Sequence, residues 1–248
     1  MKSMILKSGM ALFLLLSFSC GGDDSPQEEE ELDQELPAVF ENFTDNVTVY
    51  VDGSFVVIET DDIPNHPSPY FAQSDARYEA YNGSNSNFRI NPNSIVAQSI
   101  TIRIPLNPTE ASNKQATPLG AIGVSLNGVV FFNQYAGPNQ PLTNEIDSFD
   151  QYLGHPQQSG AYHYHQEPVY LTATLGSDKL LGWLLDGFPV YGPVENGTRV
   201  TNADVDDYHG HSHATTEYPN GIYHYHITDA DPYINGSGFF GVAGTVSN

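Results

Sequence analysis

Tyr162-His163-Tyr164-His165 returns as Tyr223-His224-Tyr225-His226, and this return constrains the chain more than any other feature. The segment around it repeats too. IGVSLNGVVFF (122–132) aligns with LGWLLDGFPVY (181–191), which places Asn127-Gly128 over Asp186-Gly187. FDQYLGH (149–155) aligns with VDDYHGH (205–211), which places Gly154-His155 over Gly210-His211. The three anchors are offset by 59, 56 and 61 residues, so their order holds while the loops vary. Two copies are too few for a solenoid, which needs about three or more units to bury its faces. The repeat therefore predicts two similar units, about 119–168 and 180–229, related by a pseudo-twofold axis and sharing one core. Each unit reads as strand, turn, strand, loop and then the histidine-bearing strand.

The rest of the chain agrees with a β protein. Apolar runs are short and bounded by Gly, Pro, Asn and Asp, and no stretch carries sustained helical periodicity. Asn46 to Ile58 (NVTVYVDGSFVVI) predicts a hairpin turning at Asp52-Gly53, and Ser94 to Pro105 predicts a strand. NPTEASNKQATP (107–118) is polar and rich in turn formers, and predicts a loop. The expected architecture is one all-β domain over 39–248, a sandwich or barrel with long loops and a twofold internal repeat in its second half.

Residues 1–19 have the pattern of a secretory signal: Lys2 and Lys7, then an apolar run from Met10 to Leu16 that is too short to span a bilayer. Cys20, the chain's one cysteine, follows at the expected cut and is the candidate site of lipid attachment. It leaves no partner for an intrachain disulfide. Residues 20–38 are acidic and cannot bury enough apolar surface to order themselves, so they read as a flexible tether. Acids directly after a lipidated cysteine resemble the export signals of Bacteroidetes surface lipoproteins. The expected location is therefore the bacterial outer membrane or cell surface, with the lipid anchor as the membrane contact.

Thirty acidic against eight basic residues give a formal net charge of −22. Phosphate contacts need clustered Lys and Arg, so a nucleic-acid partner is excluded and cations are the natural ligands.

Side chains alternate along a strand, so His163 and His165 share one face and Tyr162 and Tyr164 the other; His224 and His226 oppose Tyr223 and Tyr225 likewise. Two imidazoles at i and i+2 stand about 6–7 Å apart at the backbone and can lean onto one ion. Zinc and copper both accept imidazole nitrogen, whereas calcium and magnesium prefer oxygen shells. The competing reading is a hydrogen-bonded tyrosine–histidine lattice without metal. The two strands are expected to line one shared site, with two independent sites as the rival, and metal affinity to fall below about pH 6.5. His155 and His211, equivalent by repeat and each preceded by glycine, are the next candidate ligands. His209 and His213 lack repeat partners and fit a loop surface equally well. His66, between Pro64 and Pro67, is either a fixed loop ligand or a turn residue. Asp186 reads as a turn acid first, and as a general base or ligand support second.

No nucleophile elbow, catalytic cysteine or phosphate-cradling glycine loop is present, so catalytic residues stay unassigned. Three functions remain open: a metal-binding surface lipoprotein, a metal-dependent hydrolase or copper oxidoreductase, and a metal-free adhesin or glycan-binding module whose aromatics stack on an extracellular ligand.

The two Tyr-His-Tyr-His strands, LDGFPVYG, IPNHP and the PLNP of Pro105 to Pro108 together resemble the bacterial YHYH domain family, from about residue 45 to the C-terminus. The resemblance implies a secreted or surface domain and leaves the biochemistry open. Some members carry cysteines near the Gly-His segments, where this chain has Tyr152 and Tyr208.

Overall fold

The computed structural model describes residues 35–248 apart from Asp45 and Ser237. The signal, Cys20 and most of the tether lie outside the described residues. The strands are, in chain order, β1 (Val47–Asp52), β2 (Phe55–Thr60), β3 (Ile100–Pro105), β4 (Glu110–Gln115), β5 (Ala121–Ser125), β6 (Val130–Phe132), β7 (Tyr135–Ala136), β8 (Gln140–Pro141), β9 (Gly154–Pro156) and β10 (Tyr162–Tyr164). A seven-residue helix, α1 (Val169–Leu175), follows, too short to print a period on the sequence. Then come β11 (Leu180–Leu184), β12 (Pro189–Tyr191), β13 (Val194–Glu195), β14 (Thr198–Arg199), β15 (Gly210–His213), β16 (Ile222–His226), β17 (Phe239–Gly241) and β18 (Thr245–Ser247).

Two large sheets form, and neither closes into a barrel. The first is four-stranded, ordered β1-β2-β3-β18. The β1–β2 loop is Gly53-Ser54, with Asp52 pairing Phe55 rather than sitting in the turn. Alternation in β3 buries Ile100, Ile102 and Ile104. These isoleucines join Val56 and Ile58 in one apolar core with residues of the second sheet, giving a sandwich-like all-β arrangement. Residues 107–118 depart from expectation: their middle forms β4, which pairs with β17. The stretch is polar because most of β4 is solvent-facing, with Ala111 as its buried residue.

The second sheet is eight-stranded, ordered β15-β16-β12-β11-β5-β6-β10-β9. The order reads the same from either end once repeat equivalents are exchanged. At its centre β5 and β11 are antiparallel, with Val124 directly opposite Trp183. These two residues are themselves equivalent by repeat, so the local twofold passes between them, perpendicular to the sheet. An axis in that direction keeps corresponding side chains on the same face. The expected pseudo-twofold is thus built into one continuous ladder.

Each unit also contains a pairing that the sequence reading left out. The Gly-His segments are strands: β9 lies against β10 with His155 opposite His163, and β15 lies against β16 with His211 opposite His224. Gly154 and Gly210 are needed there. A Cβ at either position would fall 2.5–2.6 Å from ring atoms of Tyr162 or Tyr223.

Candidate metal centres

The tyrosines of β10 and β16 face the core, and all four are buried. Each buried phenol needs a partner, and the partners obey the repeat. Tyr162 donates to Asp150 Oδ2 at 2.9 Å, and Tyr223 donates to Asp206 Oδ1 at 2.9 Å. Tyr164 accepts from Asn127 Nδ2 at 3.2 Å, while Tyr225 donates to Asp186 Oδ2 at 2.6 Å. This polar lattice fixes the strands, and the opposite face carries the histidines.

Seven of the nine histidines fall into two groups. His155, His163 and His165 form one; His211, His213, His224 and His226 form the other, together with Glu195. Within each group the candidate ligand atoms all lie within 4.8 Å of one another. The expected single shared site is not formed. Four strands separate β10 from β16 in the sheet order, which at about 4.8 Å per step puts them about 24 Å apart. The rival outcome, two independent clusters, is what the fold produces.

Every one of these imidazoles has its Nδ1 committed to an oxygen. His163 donates to Ala161 O (3.3 Å) and His224 to Ile222 O (3.0 Å). His165 donates to Asn133 O (2.5 Å) and its equivalent His226 to Gly192 O (2.9 Å). His211 donates to Asp204 O (3.2 Å) and His213 to Ala214 O (2.9 Å). His155 Nδ1 lies 2.7 Å from Ser148 Oγ, whose proton already goes to Glu145 O, so here too the nitrogen is the donor. Asn91 Nδ2 is a longer neighbour at 3.4 Å and bonds Pro156 O instead.

With the proton on Nδ1, each Nε2 presents a lone pair, and the lone pairs converge. His155 Nε2 is 3.0 Å from His163 Nε2, which is 3.1 Å from His165 Nε2. His211 and His213 Nε2 stand 3.2 Å apart. The Nε2 atoms of His224 and His226 are buried with no hydrogen-bond partner. Ligand atoms tetrahedrally placed at about 2.0–2.1 Å from a zinc ion sit about 3.3 Å from each other. The donor set fits such an ion, with the Nδ1 contacts supplying the outer support that orients ligating imidazoles. Both groups, the first buried and the second running from buried to exposed, could hold metal ions.

Rings are held from the side as well. Phe132 stacks on His163 with centroids 3.9 Å apart, and Phe149 lies parallel to His165 at 5.6 Å. Burial in these apolar walls disfavours the charged imidazolium. It lowers His155 to about 3, His165 and His224 to about 4, and depresses His163 and His226. The first cluster opens on a cavity of about 480 Å³ and the second on one of about 230 Å³.

A carboxylate stands beside each centre, inside the second cluster and at the rim of the first. Glu195 Oε1 lies 3.3 Å from His211, 3.5 Å from His226 and 3.9 Å from His224, and contacts His213. Burial raises the Glu195 carboxyl, but His211, His226 and His213 outweigh it and the net shift is downward. At the first centre Glu145 Oε2 stands 3.7 Å from His155 and 3.8 Å from His165. Sequence reasoning missed both glutamates and ranked His213 low. The remaining two histidines are not in either group. His66 donates to Pro67 O and receives the Tyr164 hydroxyl at 2.8 Å; His209 is buried against Thr228 Oγ1 at 3.0 Å, not on a loop surface.

The model of the family described as YHYH protein matches residues 101–202 and 194–238, together more than half of the chain. The chain belongs to the YHYH family. Both histidine clusters and both carboxylates lie inside the matched span, so the metal-competent geometry is a property of the YHYH region itself. Comparison with curated proteins and with solved structures gave no significant match.

Proposed function

We propose that this YHYH protein is a surface-anchored lipoprotein that holds two transition-metal ions, one in each repeat. The observation that carries the reading is the convergence of seven imidazole Nε2 atoms whose Nδ1 atoms are all engaged. At the buried first centre, without a cation, the lone pairs about 3 Å apart repel one another. A metal-free hydrogen-bonded lattice would need protons between them, and burial opposes adding those. Zinc or copper suits the nitrogen-rich donors, while calcium and magnesium do not.

The anchor rests on the sequence of residues 1–20 and the acidic tether. The chain's charge of −22 would be repelled by an anionic membrane, and the tether would hold the domain away from it. Elemental analysis of the folded, tag-free protein tests the metal: two zinc or copper equivalents are expected, and none would refute the reading. Cys20→Ala should move the protein from the membrane to the soluble fraction; unchanged membrane association would refute the anchor.

A further inference from the structure

The two centres differ in how completely their donors enclose an ion, and this inference rests on the metal-binding reading. At the second centre four imidazoles and Glu195 gather within one 4.8 Å cluster, more donors than a tetrahedral ion needs. At the first, three imidazoles gather, one fewer than a tetrahedral ion needs. His213, which adds the extra imidazole, corresponds by repeat to Gln157, and Gln157 lines the larger cavity instead. Glu195 corresponds to Ala136, so nothing at that position fills the first centre. Glu145 stands at the rim, against two of the three imidazoles and 38 % exposed.

Three protein ligands with an open position facing a cavity is the arrangement that keeps a water on the ion. We propose that the His155–His163–His165 centre is reactive and hydrolytic: its ion holds a water, Glu145 takes that water's proton, and the cavity receives an uncharged acyl substrate, an ester or amide. The second centre is then coordinatively filled and structural.

The substrate class follows from the walls. Asn91, Asn93, Asn144, Gln157 and Gln158 line the cavity, and no lysine or arginine does. Side-chain amides both donate and accept, which suits a neutral polar group. An anionic substrate would meet Glu145 with no cation to hold it other than the ion. For an ester, the water gives one proton to Glu145 Oε2 and its oxygen adds to the carbonyl carbon. The bond from carbon to the alcohol oxygen then breaks, and Glu145 returns the proton to the departing alkoxide. Water and ester are consumed, and acid and alcohol are formed.

The full chain loaded with cobalt(II) tests the open position, and the zinc-loaded chain tests the chemistry. Acetohydroxamic acid should change the visible spectrum of the two-cobalt protein; that change should vanish in His163→Ala and persist in His224→Ala. The zinc protein should hydrolyse p-nitrophenyl acetate. Glu145→Gln, at a partly exposed position, should keep both ions while losing about 100-fold or more in rate, the usual contribution of a general base. A two-cobalt protein whose spectrum ignores acetohydroxamic acid, or a Glu145→Gln variant with unchanged hydrolysis, overturns the inference and leaves metal binding intact. A chain that binds no metal overturns both.

Discussion

The Tyr225 hydroxyl donates a 2.6 Å hydrogen bond to Asp186 Oδ2, the oxygen that also accepts the Gly241 N–H at 2.8 Å. Tyr225 in turn accepts from the Phe240 N–H at 2.8 Å. One buried carboxylate therefore ties β16, the β11–β12 turn and β17 together, a supporting role rather than that of a base. Asp186→Ala should cost about 3 kcal/mol, because it strands a buried phenol and the backbone N–H groups of Phe188 and Gly241, and Tyr225→Phe about 2 kcal/mol. Urea unfolding of the metal-free protein measures both. Metal content of the first centre should stay unchanged in either variant.

Two separate clusters imply separable occupancy. The double variant His163→Ala/His165→Ala should lose one ion and retain the other at wild-type affinity. His224→Ala/His226→Ala should do the converse. Metal per protein, by elemental analysis, checks this; loss of both ions in either double variant would restore the shared-site expectation.

Donor number separates the affinities. With four imidazoles and a carboxylate, the second centre should release its ion last in a chelator titration. Glu195→Gln should bring the two release steps closer together, while Glu145→Gln should leave the order unaltered. A colorimetric chelator that releases the β15–β16 ion first would contradict the assignment.

Burial also sets the pH response of the metal-free protein. His66, His209, His165 and His224 are held near 4 and His155 near 3, below the ordinary value of about 6.5 in the unfolded chain. Between those values the unfolded state binds more protons, so stability is full above pH 6.5 and falls as pH drops toward 4. Each such histidine contributes about 1.4 kcal/mol per pH unit across that window. Asp62, Asp150 and Asp186, raised by burial, act in the opposite sense, but they are three against seven depressed histidines, so the histidines dominate. The melting temperature should fall steeply between pH 6.5 and 4. At His155 and His165, which face Glu145, proton competition begins nearer pH 4 than 6.5. The first centre should therefore retain metal at pH 5, measurable by equilibrium dialysis.

Much of the frame could be read from the repeat. Asn127-Gly128 and Asp186-Gly187 both became turns, and the alternation placed every YHYH histidine on the face opposite its tyrosines. What spacing cannot carry is strand order: His-x-His says which face, not that β10 and β16 sit second from opposite edges of one sheet. Glu195 lies on a two-residue strand brought near β15 and β16 by tertiary folding alone, and its counterpart is an alanine, so no repeated signal marked it. Glu145 is one acid among thirty. The polar stretch 107–118 hid β4 because an edge strand with one face in water needs few apolar residues.

The ladder between β5 and β11 has a further meaning. Cut from its copy, either unit would end in a bare strand edge, with N–H and C=O groups inviting another chain to pair. The direct way to cap that edge with the same sequence is an antiparallel twofold contact, which is what Val124 and Trp183 mark. A single unit made on its own would be expected to pair with a second copy across that edge, as a symmetric dimer. Joined in one chain, the two units keep that contact permanently and need not be identical. One copy here carries His213 and Glu195 where the other has Gln157 and Ala136, an asymmetry that two identical chains cannot show.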